Sequence, residues 1–91
     1  MADGESLSLL HWSAIEDQTK IGEYLLENGA EVDIRDGNGY TPLHYACMCR
    51  HVDMVKLLLK YSANVMAVSN DRILPKDLTE DENIKYLLNK Q

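Results

Sequence analysis

The sequence has no phenylalanine, one tryptophan, two prolines and two cysteines, and its acidic side chains outnumber the basic ones fifteen to nine. Each shortage removes a class of protein. Cys47 and Cys49 stand two apart in a helical pattern and cannot frame a disulfide-stapled mini-protein. A reducing compartment, cytosol or nucleus, is the expected setting. A formal net charge of -6 repels phosphate backbones and anionic lipid, so neither nucleic acid nor a membrane surface is an expected partner. No apolar run approaches the roughly 20 residues needed to span a bilayer, and no membrane insertion is expected. Met1 to Leu10 carries Asp3 and Glu5 without a basic stretch, unlike a secretory signal. What remains is one small soluble domain or a fragment of a larger protein. A chain of this size buries only about 60% of its unfolded surface, so its core is marginal unless the architecture helps.

The architecture is repetitive. Asp3-Gly4 returns as Asp36-Gly37, Leu10-His11 as Leu43-His44, Leu25-Leu26 as Leu58-Leu59, and Ala30-x-Val32 as Ala63-x-Val65, always 33 residues later. Ser8/Thr41, Trp12/Tyr45, Ser13/Ala46 and Ile15/Met48 match in kind at the same offset. A fixed period of this length marks a solenoid array, in which each unit leans on its neighbours, and excludes a single closed core.

Within each unit two helical patterns follow one another. Thr41 supplies a capping hydroxyl and Pro42 suits the first helical turn, which predicts a short helix through Cys49. A second helix is expected from about Val52, with Met54, Val55, Leu58 and Leu59 on one face. Ile21, Gly22, Leu25 and Leu26 show the same spacing in the first unit. The periodicity assigns the core to Leu43, Ala46, Cys47, Val55, Leu58 and Leu59. Asn28-Gly29 ends the first unit's second helix with a residue suited to the left-handed conformation. Tyr61-Ser62 must do so without glycine, so a looser stop is expected there. Asp36-Gly37-Asn38-Gly39 has the composition of a tight turn that needs positive φ.

A third unit begins near Ser69 and is incomplete. Leu74-Pro75-Lys76-Asp77-Leu78 matches Thr41 to Tyr45, but Leu87-Leu88 arrives four residues early. Glu80-Asp81-Glu82 and Asn83 supply helix-start chemistry for Ile84 to Leu88. A shortened terminal unit of this kind reads as a C-terminal cap.

Thr41-Pro42-Leu43-His44-Tyr45-Ala46, followed by His51, Val55, Leu58-Leu59 and Ala63-Asn64-Val65, resembles the ankyrin repeat. The resemblance covers residues 3 to 88 and implies an all-α solenoid of helix-turn-helix units: two full repeats (about 3–35 and 36–68) and a truncated capping repeat (69–88). It also implies a concave face, lined by turn tips and first helices, that binds a protein partner or a neighbouring domain of the same chain. Ser8-Leu9 stands where Thr-Pro is usual, Arg50 replaces the glycine before His51, and the third unit has neither the Thr nor the His. A narrower likeness, carried by Leu10-His11-Trp12, Leu43-His44-Tyr45-Ala46 and Pro75-x-Asp77-Leu78, is to the C-terminal ankyrin segment of long acyl-CoA-binding proteins. It implies a segment that packs on or orients an acyl-CoA-binding domain and carries no ligand site itself.

The chemistry-bearing residues are accounted for by the repeat. His44, Cys47, Cys49 and His51 offer four potential zinc ligands in eight residues, a tempting donor set. But His44 belongs to the helix start, Cys47 replaces the small Ala14, and His51 opens the second helix, while Cys49 points about 160° away from Cys47 on a helix. Neither metal nor other cofactor is expected. Neither His11 nor His44 has a Ser, Cys or acid arranged as an obvious nucleophile partner, and each repeats with the architecture, so no enzyme is expected. Gly37-x-Gly39 is too short for a phosphate-cradling loop. The scattered acidic residues read as a solvated face. Trp12 and Tyr45, at equivalent positions, read as packing between units.

A set at the turn tips and on the outer side of the first helices is left over: Arg35, Asn38, Tyr40, Met48, Cys49, Tyr61, Val68, Asn70 and Ile73. Tyr, Arg and Met are enriched in interfaces, and Met gives an adaptable surface. These nine are the candidate partner-binding residues, with Tyr40, Met48 and Arg35 expected to be solvent-exposed on one face.

Overall fold

The computed structural model describes residues 7–91. The Asp3-Gly4 turn and the expected start of the domain at residue 3 lie outside the described residues. Those described form five α-helices and one 3-10 turn, with no strand among them: α1 Leu9–Ile15, α2 Thr19–Glu27, α3 Pro42–Met48, α4 Val52–Lys60, the 3-10 turn Pro75–Leu78, and α5 Glu82–Asn89. They stack in two layers. The first helices form one, α1 against α3 and α3 against the 3-10 turn; the second helices form the other, α2 against α4 and α4 against α5.

The helix starts follow from local chemistry. Ser8 and Thr41 sit in extended conformation before α1 and α3, and their hydroxyls accept the backbone N–H groups of His11 and His44. Each histidine reaches back: His11 Nδ1 accepts from the Ser8 amide at 3.1 Å, and His44 Nδ1 from the Thr41 amide at 3.0 Å. Two donors that the helix itself would leave unmatched are thus satisfied. In the third unit the Asp77 carboxylate takes over this half of the arrangement, accepting the Leu74 amide at 3.0 Å. That one contact, without a capping hydroxyl, supports a single 3-10 turn where the other units have a helix. Asp81 then caps α5 by accepting from Asn83 and Ile84, which starts that helix two residues ahead of the expected Ile84.

The same histidines join the units. With Nδ1 held as an acceptor by backbone N–H, the proton resides on Nε2. His11 Nε2 donates to the Tyr40 carbonyl at 2.8 Å, and His44 Nε2 to the Ile73 carbonyl at 2.7 Å. Both straps span 29 residues, one per joint. His51 adds a third link, its Nδ1 lying 3.0 Å from the Ala14 carbonyl. The turns meet edge to edge as well: Asn70 donates its amide to the Asn38 carbonyl and its side chain to the Gly37 carbonyl.

Leu43, Ala46, Cys47, Val55 and Leu58 are buried as expected, together with Leu10, Ala14, Met54, Ile84 and Leu88. Leu59 is only half-buried; on α4 it lies at the margin of the stripe that Met54, Val55 and Leu58 occupy. Close approach of the second helices depends on Gly22, where a Cβ would stand 3.2 Å from Ser13 Oγ and 3.3 Å from the Leu57 side chain.

The left-handed backbone positions repeat like everything else. Asp17 and Arg50 (φ 57° and 59°) join the helices of a pair, Gly29 and Ser62 (94° and 67°) end the second helices, and Gly39 and Arg72 (83° and 65°) sit in the turns. The looser stop expected at Ser62 is not found. Ser62 and Ala63 donate to the Leu59 and Leu58 carbonyls at 2.9 and 3.0 Å, matching Gly29 and Ala30 on Leu26 and Leu25. A non-glycine residue in this region costs about 1–2 kcal/mol, and the two bonds together with burial of Ala63 hold Ser62 there.

Candidate protein-binding face

The outer face of the first-helix layer is built around a buried carboxylate. Asp36 begins the turn before α3, and its Oδ1 accepts the amides of Asn38 at 2.9 Å and Tyr40 at 3.0 Å, while Oδ2 accepts the Tyr45 hydroxyl. Burial pushes this carboxyl up, but the Tyr45 bond, the two backbone donors and nearby His11 outweigh it, and its pKa lies below the usual carboxylate value. The phenol responds in the opposite sense: burial, donation to Asp36 and the charge on Asp36 raise Tyr45, so it remains a donor at neutral pH.

Tyr45 is in turn the centre of an aromatic cluster. Its ring stands edge-on to His11 at 5.7 Å and to Tyr40 at 5.6 Å, and Tyr40 lies 5.2 Å from His44. Tyr40, expected to be exposed, is therefore half-buried by its neighbours. Each such pair adds about 0.5–1.5 kcal/mol beyond its buried area. The expected packing role suits Tyr45 but not its counterpart: Trp12 is 43% exposed. An indole has no hydroxyl with which to reach an acid as Tyr45 reaches Asp36.

The nine candidate residues divide by what already holds them. Arg35 is exposed, yet its guanidinium donates to the carbonyls of Gly39 and Val68. Asn38 and Asn70 are exposed and bonded to each other's turn. Val68 is exposed, and Ile73 is half-buried with its carbonyl receiving the His44 strap. Tyr61 packs against the core, and Cys49 is half-buried at the end of α3. Met48 is 43% exposed, and on α3 it lies three residues after Tyr45, hence on the same face. By the 33-residue equivalence Trp12 and Ile15 occupy the corresponding face of α1. Met48 and Tyr45 on α3 and Trp12 and Ile15 on α1 thus hold equivalent positions on packed first helices, whereas Arg35, Asn38 and Asn70 largely join turns. Trp12 is the member that sequence reasoning passed over. The signal available for it was chemistry: tryptophan stands where the second unit has the tyrosine whose hydroxyl ties it to Asp36.

The His44 to His51 segment is divided rather than assembled. Both His44 nitrogens are engaged by backbone groups, and burial, outweighing the Ile73 carbonyl, lowers the imidazole pKa. Burial pushes the Cys47 thiol up to about 12, which keeps it protonated at neutral pH. Among the described residues no three side chains of metal-binding type come together, and no helix is long and apolar enough to cross a membrane.

Comparison with known proteins agrees with this geometry. A family model described as ankyrin repeats (3 copies) matches residues 1–69. Among curated proteins, the chain is 37% identical over 70 residues to the palmitoyltransferase ZDHHC17 of Homo sapiens, a match that covers 76% of this chain and 11% of the relative. ZDHHC17 of Danio rerio matches at the same identity and coverage. The putative palmitoyltransferase ZDHHC13 of Danio rerio is 40% identical over 63 residues, covering 68% of this chain and 10% of the relative. The chain therefore spans about a tenth of the length of these relatives. Nothing in them or in the structure supports the narrower likeness to acyl-CoA-binding proteins. With the family model covering most of its length and the histidine straps, capped first helices and two-layer stack in place, the chain belongs to the ankyrin-repeat family.

Proposed function

We propose that the chain is a protein-recognition module that binds a partner, or a neighbouring domain, through the outer face of α1 and α3. The observation that carries this reading is the exposure of Trp12 and Met48, two large apolar side chains on the first helices α1 and α3. Aromatic residues and Met are enriched at interfaces, and a few of them dominate affinity. Arg35, Asn38, Tyr40, Cys49, Val68, Asn70 and Ile73 form the shoulders of this face; Tyr61 contributes chiefly to packing.

The domain is read as residues 3–88, in units of about 3–35, 36–68 and 69–88. Its contribution is recognition and not catalysis: the nitrogens of His11 and His44 are occupied by backbone partners, so neither is free to serve as a base. The transferase activity in the relatives' names belongs to much longer chains. Both cysteines are free thiols, in keeping with a cytosolic or nuclear setting.

The test is affinity capture with the full chain, a Trp12→Ala, Met48→Ala double variant and a Tyr86→Ala control on α5, all checked for helicity. Specific partners retained by wild type and control but lost from the double variant support the reading. Identical partner sets for all three would overturn it.

A further inference from the structure

The pair α1–α2 exposes apolar side chains at the positions that α3–α4 buries. Leu9 is 67% exposed, Ile21 40% and Tyr24 64%; their counterparts 33 residues later are Pro42 and Met54, both buried, and Leu57, packed on the core. Leu25 is half-buried where Leu58 is wholly enclosed. An apolar groove of about 220 Å³ runs along this side, between Leu9, Leu10, Leu25, Ala30 and Ile34.

We propose that this face seats a further helix pair of the same class, one that presents small side chains at the joint. The argument is an equivalence within the molecule. Met54 and Leu57 close on the bare backbone of Gly22, both within 3.4 Å of where a Cβ there would be, with Ser13 Oγ 3.2 Å from the same point, and Ala14 lies with Met54 and Leu58 in one buried cluster. Ile21, Tyr24 and Leu25 repeat the covered set, so the surface that fits them repeats the covering set: glycine, serine or alanine at those places. The polar groups repeat too. The Leu7 carbonyl stands where those of Tyr40 and Ile73 receive histidine straps, and Gln18 stands where His51 reaches the Ala14 carbonyl. The occupant thus carries a histidine near the start of its first helix and a free carbonyl near that helix's end. A second copy of this chain does not offer such a surface at its open end, because α5 presents Glu82, Asn83, Tyr86 and Lys90 to solvent.

The test places residues 3–35 ahead of the full chain, so that Arg35 of the added unit precedes Asp3 as Arg35 precedes Asp36 in the natural sequence. One cooperative transition is expected, with Tm raised by more than about 10 °C, since a domain of this size gains about 4–8 °C per kcal/mol. Ile21→Glu in the original copy is the internal check. In the chain alone it alters an exposed position and should move Tm by no more than about 3 °C; in the tandem it should abolish most of the gain. An insoluble tandem, an unchanged Tm, or a gain indifferent to Ile21→Glu each overturns the proposal. So does sedimentation showing that the unextended chain forms a dimer that Ile21→Glu dissolves, because the occupant would then be a second copy.

Discussion

The middle unit and the first unit share one pattern and differ in what surrounds it. Around α3 and α4 the pattern is enclosed: Thr41, His44, Met54 and Leu58 are all fully buried. Around α1 and α2 half of it is open, Leu10, His11 and Ala14 being buried while Leu9, Trp12 and Ile21 face solvent. In a stacked array burial belongs to the joint and not to the residue, and the same leucine contributes unequally according to its neighbours.

The largest expected effect tests this directly. Leu58→Ala leaves a cavity inside the joint and should cost about 2–5 kcal/mol, whereas Leu25→Ala, its half-buried counterpart, should cost about 1 kcal/mol or less because fewer contacts are lost. Urea unfolding of the two variants decides it, and equal losses would break the comparison. Next is the contrast between turns. Gly39→Ala sets a Cβ 2.7 Å from the Asn70 backbone nitrogen at a left-handed position, and should cost about 2 kcal/mol or more. Arg72→Ala, at the equivalent place in the third unit, exchanges one side chain for another in the same conformation and should leave the urea midpoint nearly unchanged.

Thr41→Ala should cost about 1 kcal/mol through loss of the cap, seen as a lower Tm. In the opposite direction, Arg50→Gly relieves a left-handed arginine and should stabilise by about 0.5–1 kcal/mol, again read by Tm. The smallest effect is with pH. His44 has a folded pKa below 6.5, so the unfolded chain takes up the proton first as pH falls. Its contribution is whole above about pH 6.5 and is lost as pH drops below that value toward the folded pKa. Unfolding curves at pH 7.5 and 5.5 should show the decline, and a His44→Gln variant should show less of it.

Much of this was legible beforehand, because the repeat gives each residue a second copy of itself for comparison. Thr41, Pro42 and His44 announce α3, and Val52 does start α4. The truncated third unit was visible in the early arrival of Leu87-Leu88. What was not legible depends on three-dimensional closure. Tyr40 looks like a turn-tip aromatic in sequence, and only the approach of His44 and Tyr45 half-buries it. Arg35 and Asn70 read as free polar groups until the next turn supplies carbonyls 33 residues away. Ser62 misled in the other direction: its sequence argues for a frayed end, and the geometry of the neighbouring carbonyls imposes the glycine-like one.

The histidine straps set how this molecule opens. Each crosses a single joint, His11 to the second unit and His44 to the third, so no bond of this kind ties the first unit to the last. Exchange of backbone hydrogens with solvent should therefore be graded along the chain, since local openings cost less wherever fewer contacts must be broken. Amides of α1 and α5 can exchange after one strap is released. Those of Val55 and Leu58 in α4, flanked by both joints, wait for both to part and should mark the slowest-exchanging segment of the protein.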